Sequence, residues 1–105
     1  MSSQPWFVYL LECRSGRIYT GVTPDLVARI SKHENGQGAM FTRLNRPERL
    51  LAAKLFRSKV EAMRLEYQIK RLSRPQKILL ASRWCDENPP DKLAEQFPAL
   101  GEYIE

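Results

Sequence analysis

Apolar residues crowd the start of the chain without alternating with polar ones. Trp6-Phe7-Val8-Tyr9-Leu10-Leu11-Glu12-Cys13 is aromatic and branched at nearly every position. That pattern predicts a strand buried on both faces, hence central in its sheet. Arg14-Ser15-Gly16-Arg17 reads as a hairpin turn with Gly16 at positive φ, and Ile18-Tyr19-Thr20-Gly21-Val22 as the returning strand. A glycine inside a strand weakens it, so Gly21 is expected to mark close approach by another group. Thr23-Pro24-Asp25 predicts a helix start, with Thr23 as N-cap and Pro24 in the first helical position. Leu26, Val27 and Ile30 are its buried face, and Asn35-Gly36 its stop.

The second half repeats this grammar. A glycine-rich loop, Gly36 to Arg43, leads into a basic stretch that Pro47 keeps irregular, and Leu50 to Phe56 predicts a third strand. Ser58-Lys59-Val60-Glu61 is a capping box, so a helix follows to about Leu72. Its apolar stripe is Ala62, Leu65, Ile69 and Leu72. Ser73-Arg74-Pro75-Gln76 opens a further helix through Trp84, and Asn88-Pro89-Pro90 breaks it. A short helix around Leu93 to Phe97 completes the tail. The fold class is therefore α/β in the α+β sense: a small three-stranded, mostly antiparallel sheet flanked by helices.

Length and charge narrow the functions available. The 105 residues suit one domain, read as 1–84 with an acidic tail at 85–105. No apolar run approaches the roughly 18 residues that span a bilayer, and Trp6 to Leu11 is too short for a signal-peptide core. A cytoplasmic protein without membrane attachment, with nucleoid association open, is the expectation. Two cysteines without CxxC spacing and a single histidine argue against a zinc site and leave two free thiols. Residues 1–84 carry 16 Lys and Arg against 6 Asp and Glu, a balance of +10. Residues 85–105 carry 1 Lys against 6 acids, a balance of −5. So basic a body suggests a polyanionic partner, although a well-solvated surface has the same charge.

The chain has no GxSxG elbow, P-loop or dinucleotide glycine pattern. The remaining candidates are Tyr9, Tyr19, Arg29, His33 and Glu66. Each has an ordinary structural reading. Tyrosines are common in strands, Arg29 is a typical helix-face charge, and His33 suits a helix C-terminus. Glu66 lies about 80° from the apolar stripe of its helix, a boundary position, and can pair with Lys70 four residues on.

Their order is more specific than any one of them. Val8-Tyr9, Ile18-Tyr19-Thr20-Gly21, Asp25-Leu26 with Arg29 and His33, Thr42-Arg43, and Glu66-Tyr67-Gln68-Ile69-Lys70-Arg71-Leu72-Ser73 together resemble the GIY-YIG nuclease superfamily, small single-domain bacterial type. Phe7-Val8-Tyr9 stands for GIY and Tyr19-Thr20-Gly21 for YIG, and the resemblance covers roughly residues 6 to 80. It implies a metal-dependent endonuclease hydrolysing phosphodiester bonds in DNA, in repair or recombination. One divalent ion, Mg²⁺ or Mn²⁺, would be held by Glu66. Tyr9 would act as general base or proton relay, and Tyr19 would contact the phosphate or position the water. Arg29 would neutralise phosphate charge, and His33 would assist. A phenol is a poor base at neutral pH, so this role requires neighbouring cations to lower the Tyr9 pKa. The chain departs from the family at Gln37, often lysine, and at Met40 and Phe41, usually lysine and tyrosine.

The basic residues extend this reading. Thr42, Arg43, Arg46 and Arg49 after the glycine loop, and Lys70, Arg71, Arg74 and Lys77 around the last helix junction, are expected to flank a cleft and track phosphates. The DNA could be branched, nicked or single-stranded, RNA stays open, and no obligate protein partner is evident. The alternatives are a nucleic-acid-binding module that keeps the fold without turnover, and an adaptor using the acidic tail. Geometry sets two conditions. A two-residue hairpin turn would put Tyr9 and Tyr19 on opposite sheet faces, so a shared site requires a three- or five-residue connection or a bulge. Glu66 is expected to face Tyr9, Arg29 and His33 across the cleft.

Overall fold

The computed structural model describes residues 4–36 and 46–87. In chain order these form β1 (Trp6–Cys13), β2 (Ile18–Thr23), α1 (Leu26–Glu34), β3 (Pro47–Phe56), α2 (Lys59–Lys70) and α3 (Arg74–Glu87). The sheet is antiparallel throughout, in the order β2-β1-β3, with the doubly apolar β1 at its centre. Val8, Tyr9, Leu10 and Leu11 are fully withdrawn from solvent, because helices cover both faces of that strand.

Strand parity divides the core in two. Val8, Leu10, Ile18 and Ala52 pack under α2 and α3, against Ala62, Ile69, Ala81 and Trp84. Tyr9, Leu11, Leu50 and Ala53 pack under α1, against Leu26 and Ile30. Each fully buried leucine or isoleucine contributes about 1.5–3 kcal/mol, so β1 anchors both layers. Ala52, Ala62 and Ala81 let backbones approach closely on the two-helix face. Enlarging Ala62, which has no exposed surface, would overpack it by roughly 1–3 kcal/mol.

The hairpin decides where the tyrosines point. Glu12 faces Ile18, and Cys13 N–H donates to Arg17 O at 2.9 Å, which leaves Arg14, Ser15 and Gly16 as a three-residue connection. Gly16 takes φ 85°, the left-handed position of a type I turn closed by a bulge. The register then pairs Tyr9 with Gly21 and Leu11 with Tyr19, so both tyrosines lie on the α1 face.

Three element boundaries differ from expectation. Thr23 stays in β2, paired with Phe7, and Asp25 is the N-cap of α1, accepting from Ala28 N–H at 3.2 Å. Thr23 Oγ1 instead closes the turn onto Asp25 N–H at 3.1 Å. β3 begins at Pro47, three positions before the predicted start, which an edge strand permits because proline there sacrifices no ladder bond. The last helix continues past Trp84 to Glu87. Both predicted caps further on are present. Ser58 Oγ accepts from Glu61 N–H at 3.3 Å, and Ser73 and Gln76 bond reciprocally at 2.9 and 3.3 Å. The glycine loop with Thr42, Arg43, Gln37, Met40 and Phe41, and the tail helix around Leu93 to Phe97, lie outside the described residues.

Candidate active site

Four of the five candidate residues meet between the sheet and α1. Arg29 and His33, one turn apart, descend onto the tyrosines of the hairpin. Tyr9 Oη lies 2.8 Å from His33 Nε2. The Tyr19 and His33 rings meet edge-on at a centroid distance of 5.0 Å, and the two tyrosine rings lie 6.1 Å apart. The Arg29 guanidinium lies against both phenols and interacts with them electrostatically. Tyr9 and His33 are buried, at 0% and 1% exposure, whereas Tyr19 and Arg29 are half-buried. The cluster thus has an inner pair and an outer pair.

Gly21 makes this packing possible. A Cβ at that position would fall on Tyr9 Oη and Cζ and within 2.9 Å of Tyr19 Cε2. The group that the strand glycine accommodates is therefore the Tyr9 ring.

Burial sets the electrostatics. It pushes the Tyr9 pKa well above that of an ordinary phenol, and Tyr19 adds to the rise while Arg29 opposes it. Among the protein groups, desolvation of the phenolate outweighs the Arg29 guanidinium. His33 is pushed down to about 4, first by burial and then by Arg29. At neutral pH the imidazole is uncharged. A neutral Nε2 can accept from the Tyr9 hydroxyl, and in that tautomer the ring proton is on Nδ1.

Glu66 comes from a different layer of the fold. It stands on α2, which packs on the opposite face of the sheet. Its side chain is 18% exposed and pairs with Lys70 Nζ at 3.4 Å. The tyrosine face and α2 come together at the edge strand β2, where Tyr19 and Lys70 line one cavity of about 240 Å³ with Ile18, Thr20 and Lys77. The physical reason is parity. The stripe that buries Ala62 and Ile69 directs α2 to the Val8 and Leu10 face.

The basic residues do not form one set. Arg74 is committed to the hairpin: Nε donates to Gly16 O at 2.6 Å, and a second nitrogen pairs with Glu12 at 3.2 Å. Arg49 pairs with the same carboxylate at 3.0 Å. Glu12 was missed by the sequence reading, although a lone acid inside an apolar strand signals a charged partner. Arg71 stacks over the exposed Tyr67 ring at 5.8 Å. Arg46 is exposed and its carbonyl accepts from Arg14 N–H at 2.9 Å. Lys77 lines both the 240 Å³ cavity and an adjoining one of about 360 Å³ with Ser15, Gly16, Arg17, Ile18 and Arg74.

Comparison with known proteins gives this arrangement its family. A model of the GIY-YIG catalytic domain matches residues 5–78, most of the chain. The chain belongs to the GIY-YIG family. Among relatives of this GIY-YIG chain, the UPF0213 protein BH0048 of Halalkalibacterium halodurans is 53% identical over 76 residues, covering 72% of this chain and 81% of that one. The UPF0213 protein SSP2268 of Staphylococcus saprophyticus is 43% identical over 76 residues, covering 72% and 93%. The solution NMR structure of the UPF0213 protein BH0048 from Bacillus halodurans superimposes with a TM-score of 0.51 at 44% identity, covering 89% of this chain and 96% of that one.

The donor set fits the single-carboxylate metal site that a GIY-YIG nuclease implies. Among the described residues no three His, Cys, Asp or Glu side chains cluster as metal ligands. A hard divalent ion that keeps most of its waters needs only one carboxylate with substrate oxygens. Glu66 supplies one, partly exposed and already neutralised by a cation, Lys70. No helix among the described residues is long and apolar enough to cross a membrane.

Proposed function

We propose that this chain is a divalent-metal-dependent endonuclease that hydrolyses phosphodiester bonds in DNA, in cytoplasmic repair or recombination. The observation that carries the reading is the Tyr9–His33 pair, with Arg29 against both tyrosines. Nuclease chemistry needs a proton acceptor beside a cation that meets phosphate oxygens. The half-buried pair faces the substrate: Arg29 neutralises charge developing on the phosphate, and Tyr19 positions the attacking water. Tyr9 relays rather than stores the proton, because burial disfavours its phenolate. Its hydroxyl passes a proton to His33 Nε2 as it accepts one from the half-buried Tyr19 hydroxyl, which meets the attacking water. A phosphate bound at Arg29 cancels part of the charge that depresses His33, so substrate strengthens the base that receives the proton. Glu66 would hold Mg²⁺ or Mn²⁺, which when bound would supply charge at the leaving oxygen.

Residues 1–84 form the nuclease unit in this reading, and the acidic segment 85–105 limits non-specific binding. Thr42, Arg43, Arg46, Lys70, Arg71 and Lys77 are proposed to contact the phosphate backbone, with Arg74 acting mainly on the hairpin. The complete burial of Tyr9 and His33 favours one rival, a nucleic-acid-binding module without turnover. A cleavage assay separates the two. Incubation with linear, nicked, branched and single-stranded DNA in Mg²⁺, Mn²⁺ or EDTA should give metal-dependent products on at least one substrate. Binding to all of them with no cleavage in either metal would establish the rival.

A further inference from the structure

Resting on the nuclease reading, we propose that the cavity lined by Ile18, Tyr19, Thr20, Lys70 and Lys77 is a subsite for one phosphoryl group of the bound strand, beside the phosphate met by Tyr19 and Arg29. Three independent features support it. The first is charge: two ammonium groups, from the end of α2 and the start of α3, line one cavity at the sheet edge. Among the described residues Lys77 has no carboxylate partner, and it is held below its usual pKa by burial and by Lys70. Lys70 also pairs with Glu66 at 3.4 Å, so Lys77 supplies the uncompensated charge that an anion in the cavity would meet.

The second is an unmet hydroxyl. Thr20 is 98% buried at 2% exposure, and its Oγ1 has no hydrogen-bond partner among the described residues. A buried hydroxyl without a partner is costly, and Thr20 lines the cavity in which a phosphoryl oxygen would be the nearest acceptor for it to turn to. The third is size and position. The volume of about 240 Å³ would hold roughly eight waters at about 30 Å³ each, enough for a phosphoryl group and some of its solvation. Tyr19 belongs both to this cavity and to the tyrosine–histidine cluster, so a strand seated here continues directly to the reacting phosphate. The phosphoryl group could be an internal phosphodiester or a terminal phosphate.

The test reads binding alone, in EDTA, by fluorescence anisotropy. The probe is a DNA strand of about 12 nucleotides, with and without a 5′ phosphate. Lys77→Met should bind about ten-fold more weakly than wild type and lower the salt slope by about 0.7, the value for one single-strand phosphate contact. Thr20→Val should bind about five-fold more weakly yet unfold in urea no earlier than wild type, since it removes a buried unpartnered hydroxyl. Arg83→Met, the same charge change elsewhere on α3, should leave the affinity within about two-fold, as expected away from a phosphate contact. Equal losses on both strands assign the subsite to an internal phosphodiester, and a loss confined to the phosphorylated strand assigns it to the terminal group. If Lys77→Met and Thr20→Val bind both strands like wild type, the subsite is wrong, even where wild type cleaves DNA with metal. If wild type binds neither strand, the subsite is wrong, while metal-dependent cleavage of nicked or branched DNA would leave the nuclease reading standing.

Discussion

The hydroxyl of Tyr9 lies 2.8 Å from Nε2 of His33, and both side chains are sealed from solvent. Two polar groups in that position depend on protein partners, because bulk water does not reach them. The pair is therefore part of the core as well as part of the proposed chemistry. Its protonation state links stability to activity.

The first consequence is a pH dependence of stability. Unfolded, His33 titrates near 6.5; folded, it is pushed down to about 4 by burial and by Arg29. Below pH 6.5 the unfolded chain gains a proton that the folded chain refuses. The stability present above 6.5 is lost as pH falls through about 4, by up to roughly 3 kcal/mol. Urea melts from pH 7 to 4 should show a steeper loss for wild type than for His33→Gln. Parallel curves would mean that His33 is not held neutral by the fold.

Gly21 carries a second prediction. Gly21→Ala places a methyl group on the Tyr9 ring and should destabilise by about 1–3 kcal/mol. Tyr9→Leu removes the obstructing ring atoms, so the double variant should lose less than the two single losses combined. Additive losses in denaturant melts would show that the Tyr9 ring is not what demands glycine here.

Much of the fold was legible from local pattern. An apolar run on both faces placed β1 at the centre, and the Ser58 and Ser73 boxes marked two helix starts. Competing local signals were not resolvable. Thr23 and Asp25 are both good caps, and pairing of Thr23 with Phe7 across the hairpin decided for Asp25. In the candidate site, the meeting of Tyr9 with His33, 24 positions apart, depends on how α1 crosses the sheet. The sign of the Tyr9 pKa shift depends on burial by three elements, which no local window contains. Glu66 was placed at a boundary of its helix, and its 18% exposure agrees, but which sheet face α2 covers is a tertiary fact.

Glu12 is the third test. It joins Arg49 from β3 and Arg74 from α3, while Arg74 also holds the hairpin carbonyl of Gly16. Partly exposed pairs contribute about 0.2–1 kcal/mol each. Glu12→Ala should therefore destabilise by roughly 1–2 kcal/mol and Arg74→Ala by about 1 kcal/mol, with strong coupling in the double variant. Chemical denaturation of the four proteins measures this. Independent effects would remove Arg74 from the hairpin and return it to the surface charge available to DNA.

Metal dependence is expected to follow Glu66. With Glu66→Ala, the release of Lys70 should leave DNA binding in EDTA unchanged or stronger, while cleavage in Mg²⁺ or Mn²⁺ falls by at least about 10²-fold, the scale of losing a principal electrostatic contributor. Filter binding and product quantification on the same samples check both halves. Cleavage that survives the substitution would move the metal to other donors.

The most direct measurement of the central claim is single-turnover cleavage of a labelled DNA substrate by wild type, Tyr9→Phe and His33→Gln, with binding measured on the same substrate in EDTA. If Tyr9 relays a proton to His33, each substitution should slow the cleavage step by about 10²–10⁴-fold, the usual worth of positioned acid–base catalysis. The double variant should be little slower than the slower single one, and DNA affinity should stay within a few-fold. Cleavage at the wild-type rate by either folded single variant would contradict the account, and the Tyr9–His33 pair would then be a packing feature of the core.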